Sequence, residues 1–388
     1  MKILFICNEY PPAPHGGVGT YVKNIAKNLS DLGHKVYVVG VYSDINNIEE
    51  LFDGKVKIVR LPTVKGNSIK RNVYVRFNLA KFVEQFSEEN KIDIIEIPEG
   101  GGFGLFFSNK IPWIIRLHNT APIYMKSINK QRGFLLSFFE NISLFRSTRI
   151  VGVSQYILSK SVQLYPLLRY FKRDIKVIYN SIDIVKFQYK SKNYNEHTNI
   201  TFAGTLKPVK NIMNLIMAFI DLIGSGDFSD VFLHIYGNDS FLNGQSYKEN
   251  LIKSIPEIYR EKIIFHEPVD HDQMNQVFWV SDVCVFPSVY ESFGLVAAEA
   301  MSCGRPVIYS CTGPGSELID DGVDGLLCDP YDPGSIKEKI ELILKDKEYA
   351  DKIGENASKK IKKNFSNEII ILQNISLYNE VISNPGKM

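Results

Sequence analysis

Along this chain, apolar residues gather either in short unbroken runs or at every third or fourth position, and the two patterns alternate. KILFIC (2–7) is such a run and predicts a strand, after which Val18, Tyr21, Val22, Ile25, Leu29 and Leu32 recur at helical spacing. Gly33 ends that helix, and HKVYVVGV starts the next strand. The alternation continues through VKIVRL (56–61), an aromatic-rich helix near 73–86, IDIIEI (92–97), PWIIRL (112–117), RIVGVS (149–154) and KVIYN (176–180). Continuous apolar strands separated by helices imply a parallel sheet covered on both faces.

The pattern lapses over 186–199, KFQYKSKNYNEHTN, which reads as a linker or an ordered surface crossing. It then restarts: NITFAGT, a helix over about 211–223, VFLHIYG, KIIFHEP, DVCVFPS, RPVIYS and GLLCDP alternate with helical segments to Leu344. The predicted fold class is therefore α/β, with two Rossmann-like, doubly wound parallel-sheet domains over 1–185 and 200–365. Such sheets bind ligands at the carboxyl ends of their strands, so a cleft there is the expected site. SNEIIILQNISLYNEVI (366–382) predicts a terminal amphipathic helix with Ser366 at its N-cap.

Composition narrows the function. With 388 residues, 45% of them hydrophobic, the chain can bury a core in each of two domains. A formal net charge of +2 is too close to balance for nucleic acid as the main partner. The five cysteines (Cys7, Cys284, Cys303, Cys311, Cys328) never form C-x-x-C and mostly lie in apolar runs, which favours buried reduced thiols over a zinc site or disulfides. The first apolar run is too short for a signal sequence, and none reaches the roughly 18 residues of a membrane span. A cytoplasmic protein is expected. The segment 126–149 mixes basic residues with Phe134, Phe138, Phe139 and Phe145. It reads as a core-packing helix, with at most weak peripheral membrane contact as the alternative.

The most informative stretch is YESFGLVAAEAM (290–301), directly after DVCVFPS. A helix starting near Phe293 or Gly294 leaves Glu291 in the loop and Glu299 inside the helix among small residues. The free N–H groups at that helix start suit a phosphate, with about 0.3–1 kcal/mol from the macrodipole alone. A carboxylate beside a phosphate needs other donors, and ribose hydroxyls supply them. A purely structural alternative has Glu291 near an N-cap and Glu299 paired with a buried lysine or arginine.

ESFGLVAAEA, with FPS before it and CGRPVI, GPGSELI and DGVDGLLCDPYDP after it, resembles the E-x7-E region of retaining glycosyltransferases of family 4, which have the GT-B fold. EYPPAPHGGVGTYV near the amino terminus and the terminal helix extend the resemblance over nearly the whole chain. It implies that the terminal segment 366–388 packs back on the first domain. It also implies that Glu291 contacts the donor sugar, that backbone N–H groups at Ser292, Phe293, Gly294 and Leu295 hold a diphosphate, and that Glu299 binds ribose.

The same resemblance assigns further roles. In GTLKPVKN (204–211), Lys210 matches a lysine that neutralises the leaving diphosphate, but Thr205 and Val209 stand where an arginine is usual. Thr205, Gly16 and Gly17 join the donor-binding set, and so does Gly237, where the family packs the nucleotide base against backbone. The glycines could also be plain turn residues. His118, at the end of PWIIRL, would assist at the donor sugar or acceptor, with Glu99 and Asn119 completing an acceptor pocket. YNSID (179–183) resembles N-G-x-D with Ser181 replacing glycine, and Glu317 matches a glutamate near the donor.

The implied reaction moves a sugar from a nucleotide diphosphate sugar, UDP first and GDP next, to an acceptor hydroxyl with retention. Glu291, Lys210 and His118 are the catalytic candidates. No cofactor or metal is expected, and the acceptor would be a glycan, a lipid-linked sugar or a small molecule in glycan, polysaccharide or glycoconjugate biosynthesis. A nucleotide-sugar epimerase of the same fold and a non-catalytic nucleotide-sugar-binding protein are the alternatives.

Overall fold

The computed structural model describes residues 1–13, 16–64, 66, 68–119, 133–165, 168, 175–192 and 197–384. The chain divides into two compact units, one formed by Met1–Ser181 with Asn367–Met388 and the other by Ile182–Ser366.

The first unit holds strands β1 (Lys2–Ile6), β2 (Lys35–Tyr42), β3 (Glu49–Asp53), β4 (Val56–Pro62), β5 (Ile94–Pro98), β6 (Trp113–Leu117), β7 (Arg149–Gly152) and β8 (Ile175–Val177). Their order is β3-β4-β2-β1-β5-β6-β7-β8. All neighbours pair in parallel except β3, which runs antiparallel to β4 at the edge. The sheet grows one way from β1 and the other way from β5, so the winding reverses between these two. That switch point is where open α/β sheets open a crevice.

The parallel strands are buried along most of their length, which is why their sequences are unbroken apolar runs. Strand β3, EELFD, escaped the sequence reading because its pattern is exposed and acidic. Glu49 and Glu50 pair with Arg60 (2.8 Å) and Lys57 (2.9 Å) of β4.

Helix Asn367–Ser383 belongs to the first unit. Its Ile370, Ile371, Leu377 and Tyr378 enter the core formed by Ile3, Phe5, Val38, Ile94 and Ile114. Within that core lies a buried polar network. Arg116 donates from Nε and Nη2 to the two oxygens of Glu96 (2.6 and 3.0 Å) and from Nη2 to Asn374 (2.5 Å). Tyr21 and Tyr378 donate to the same carboxylate at 3.0 and 2.7 Å. The single acid of β5 and the single base of β6 thus satisfy each other, and the last helix completes the set.

The second unit holds β9 (Thr198–Ala203), β10 (Val231–Tyr236), a small hairpin of β11 (Phe241–Leu242) and β12 (Gln245–Ser246), then β13 (Ile263–His266), β14 (Val283–Phe286), β15 (Val307–Ser310) and β16 (Leu326–Cys328). The main sheet runs β13-β10-β9-β14-β15-β16, all parallel, with its switch point between β9 and β14.

The described part of the polar run 186–199 is packed onto this unit. Phe187 is buried, Lys192 pairs with Asp282 at 2.8 Å, and Lys190 lies 3.2 Å from the centre of the Trp279 ring. Residues 193–196 lie outside the described residues, as do 385–388 of the terminal segment.

Helix Phe134–Arg146 departs from its expected core role. It buries Phe139 and Leu144, but Phe134 is 85% exposed and Phe138 and Phe145 are also exposed. Residues 126–132 of that segment lie outside the described residues. Four cysteines are buried and free, whereas Cys311 is exposed. Among the described residues no helix is long and apolar enough to cross a membrane.

Candidate active site

In the second unit, the loops that follow β9 and β14 flank the switch point. The β9 loop passes Gly204, Thr205 and the short turn Pro208–Lys210. Asn211 then adopts a left-handed conformation (φ 57°) and opens helix Ile212–Gly224. Asn tolerates that conformation better than most residues. The β14 loop carries Glu291 and Ser292 into helix Leu295–Ser302. A backbone bond from Val289 N–H to the Val209 carbonyl (2.9 Å) ties the two loops together. Lys210 Nζ donates to Glu291 Oε2, so two predicted site residues 81 positions apart form one ion pair.

Helix Leu295–Ser302 has no side-chain cap. Its N-cap, Gly294, sits at φ 95°, and a Cβ there would come within 2.4 Å of the Tyr309 hydroxyl. Both facts require glycine. Tyr309 is buried, and its Oη has no hydrogen-bond partner among the described residues. Burial, with the Glu291 charge second, pushes its phenol well above the usual range. Gly294→Ala is expected to weaken nucleotide-sugar binding at least tenfold, read by calorimetry; unchanged affinity would show that the helix start does not touch the ligand.

Glu299 is 5% exposed and accepts from, or shares a proton with, His271 Nε2 at 2.7 Å. His271 in turn contacts Lys186 Nζ (2.9 Å), which also binds Asp272 (2.6 Å). His271 was not foreseen, because it sits in a polar turn 28 residues from Glu299 with no periodic pattern around it. Phe293, expected as a backbone donor, has its side chain buried against Phe365, with ring centres 5.6 Å apart.

Gly237 follows β10 (φ 154°), and a Cβ there would collide with the Gly204 carbonyl at 1.9 Å. Glycine is therefore dictated by the approach of two loop backbones. Thr205 lies half-buried on one of these loops. Val209, the other place considered for an arginine, is buried. Glu317 lies in the first turn of the short helix Gly315–Leu318 after β15.

The remaining predicted residues are in the first unit, on loops after β1, β5 and β6. Gly16 is the N-cap of helix Gly17–Asp31 with ordinary extended angles. Built side chains at Gly16 and Gly17 would meet nothing closer than Glu9 Oε1, 3.7 Å from Gly16. The fold itself does not demand glycine at either place. The helix start is already occupied by an anion, since Glu9 Oε1 accepts from Gly19 N–H at 2.8 Å. Pro14 and His15 of this loop lie outside the described residues.

Glu99, His118 and Asn119 come together. The Glu99 carboxylate accepts from the backbone N–H groups of His118 (2.9 Å) and Asn119 (2.5 Å), so it braces this loop. Burial pushes Glu99 up to about 7, with the two N–H bonds opposing. Burial, then the Arg116 charge, holds His118 well below the usual histidine range, which keeps its imidazole neutral. Its ring lies 4.7 Å from that of Tyr21. Ser181 has no left-handed backbone, so the turn at 179–183 does not need glycine. Its hydroxyl accepts from Asn24 Nδ2 at 3.0 Å.

Two parallel-sheet α/β units, each wound both ways from a switch point, are the architecture of the GT-B fold, and in the second unit an ammonium, a carboxylate and an uncapped helix start meet beside the switch point. Comparison with known proteins gives the same class. The model "Glycosyltransferase Family 4" matches residues 15–186 and "Glycosyl transferases group 1" matches residues 183–360. The chain belongs to the family 4 glycosyltransferases. An uncharacterized glycosyltransferase of Methanocaldococcus jannaschii is 26% identical over 100% of both chains. Among solved structures, sucrose-phosphate synthase from Thermosynechococcus elongatus superposes with a TM-score of 0.83 at 20% identity, covering 98% of this chain and 99% of that one. HepE of Anabaena, solved in complex with UDP-glucose, superposes with a TM-score of 0.73 at 20% identity, covering 98% and 100%.

Proposed function

We propose that this protein is a retaining, metal-independent glycosyltransferase that moves a hexose from a nucleotide diphosphate sugar to an acceptor hydroxyl in glycan, polysaccharide or glycoconjugate biosynthesis. UDP-sugars are the first candidates, since HepE was solved with one, and GDP-sugars come next. The observation that carries the reading is the convergence of Lys210, Glu291 and the uncapped start of helix Leu295–Ser302 at one switch point.

As the bond between the sugar carbon and the phosphate oxygen breaks, negative charge collects on the departing diphosphate. Lys210 and the N–H groups at the helix start neutralise it. The acceptor attacks from the face the diphosphate leaves, and its proton passes to a diphosphate oxygen. Glu291, held by Lys210, is placed to orient the sugar hydroxyls, while Glu299 receives the ribose, whose hydroxyls replace or share its contact with His271. Neutral His118 accepts a hydrogen bond from a hydroxyl without adding charge.

A thermal-shift series over nucleotide sugars tests the proposal. One UDP- or GDP-sugar should raise the melting temperature by several degrees, and Glu299→Ala should reduce its affinity at least tenfold. An unchanged response in that variant would remove the ribose assignment. Binding without transfer to any hydroxyl acceptor would point to a binding protein instead.

A further inference from the structure

The first unit contains a cavity of about 530 Å³ outside the groups used so far. It lies at the carboxyl ends of β1, β2 and β4, bounded by Asn8, Tyr42, Thr63, Arg71, Arg76 and Phe103 among others. Its size is that of a small-molecule site, and this sheet edge is where α/β domains bind ligands.

The charge in its wall is unusual. Arg76 is 5% exposed, and its guanidinium lies against the rings of Phe103 (5.4 Å) and Phe139 (5.1 Å). It donates to two backbone carbonyls, Gly101 (2.7 Å) and Asn72 (2.6 Å), and to no carboxylate; its Nη2 has no partner among the described residues. Stacking fixes the plane of the fork, and the two carbonyls fix its rotation. The nearest acid in electrostatic terms is Glu140, whose oxygens accept from Gly101 N–H (2.8 Å) and the Tyr165 hydroxyl (3.1 Å).

Among the described residues the Arg71 side chain likewise bonds only to the Val64 carbonyl and the Thr63 hydroxyl. Among the described residues of the wall the one acid, Asp44, is taken by Arg60 at 2.5 Å. Lys70 and Arg71 also occupy the first turn of helix Ile69–Asn90, which has no acid there, so cations oppose the helix dipole. Glu140 offsets part of the Arg76 charge but makes no hydrogen bond to it, and a buried fork whose outer N–H groups meet no acceptor is costly unless an anion completes it.

We propose that this cavity receives an acceptor bearing a phosphate monoester, gripped by the guanidinium groups of Arg71 and Arg76, with the acceptor's hydroxyl-bearing part filling the remainder. The proposal rests on the glycosyltransferase reading for calling the occupant an acceptor. Phosphate suits the pair because two planar forks can satisfy three oxygens and two negative charges.

Calorimetric titration of the full chain with glucose 6-phosphate, glucose and inorganic phosphate, at constant ionic strength, tests it. Glucose 6-phosphate should bind at least tenfold more tightly than glucose. Arg71→Gln should weaken that binding at least tenfold. Arg76→Lys, which keeps the charge and loses the fork, guards against misfolding and should weaken it at least threefold. Lys210→Ala should leave it unchanged, because that lysine serves the other phosphate site. Equal binding of the two sugars, binding of inorganic phosphate alone, no binding of either glucose 6-phosphate or phosphatidic acid vesicles, or loss only in Lys210→Ala would each overturn the proposal. Phosphatidic acid vesicles, compared with phosphatidylcholine vesicles, form a further arm. Arg71-dependent association with the former alone would keep the phosphate site and assign its source to a lipid. Stabilisation by a nucleotide sugar that survives Arg71→Gln keeps the donor reading separate, so either can fail without the other.

Discussion

Lys210→Ala is expected to lower kcat by about 10²–10³-fold, the usual cost of removing one group that stabilises charge developing in a transition state. The loss should fall on kcat more than on KM, because the diphosphate carries its full leaving-group charge only as the sugar departs. The fold should survive. The Lys210 and Glu291 side chains are 24% and 23% exposed, and removing a partly solvated pair changes stability by roughly 0–1 kcal/mol. Steady-state kinetics with the cognate donor, paired with a thermal melt, separates these effects. A variant that keeps more than a tenth of the activity would transfer the leaving-group role elsewhere. In the proposed reaction Lys210 would carry most of this role, because Thr205 and Val209 stand where the resemblance implies a second cation.

The largest stability effect should come from Glu96→Ala. It strands the fully buried Arg116 guanidinium and removes the acceptor of Tyr21 and Tyr378. Breaking a buried pair by deleting one partner costs about 3–5 kcal/mol, because a charge remains without compensation. For a domain of this size that lowers the melting temperature by roughly 10 °C. The paired replacement Glu96→Leu with Arg116→Met should recover most of the loss, as hydrophobic substitutes for both charges often do. Urea unfolding of the three proteins is the measurement. A loss under about 1 kcal/mol in Glu96→Ala would mean that water reaches the guanidinium.

Much of this architecture was legible in the residues. Strands such as KILFIC and DVCVF are buried on both faces, so hydrophobicity alone marks them, and the observed ends differ by only a residue or two. Gly294 and Glu299 could be placed because a strand end, a tight turn and a helix of small residues leave little freedom between them. Other features depend on contacts that sequence spacing does not encode. His271 reaches Glu299 from a polar turn, and the left-handed Asn211 fixes the approach of Lys210. The Glu96–Arg116 pair did leave a trace, since one charge interrupts each of two apolar strands, and such interruptions in neighbouring strands deserve to be matched. Glu99 carries a role that its place at a strand end does not encode, since both its oxygens accept from backbone N–H groups of the neighbouring loop.

The division of the chain has a consequence for biosynthesis. Residues 182–366 are contiguous, with Ile182 and Ser366 meeting in a β-bridge, so every residue of the second unit is synthesised before helix Asn367–Ser383. The first unit, although translated earlier, still lacks Asn374 and Tyr378 for its buried polar cluster. The amino-terminal sheet therefore stays incomplete until the whole of its successor has been synthesised, and premature termination near residue 366 would release a chain whose first half cannot close its own core.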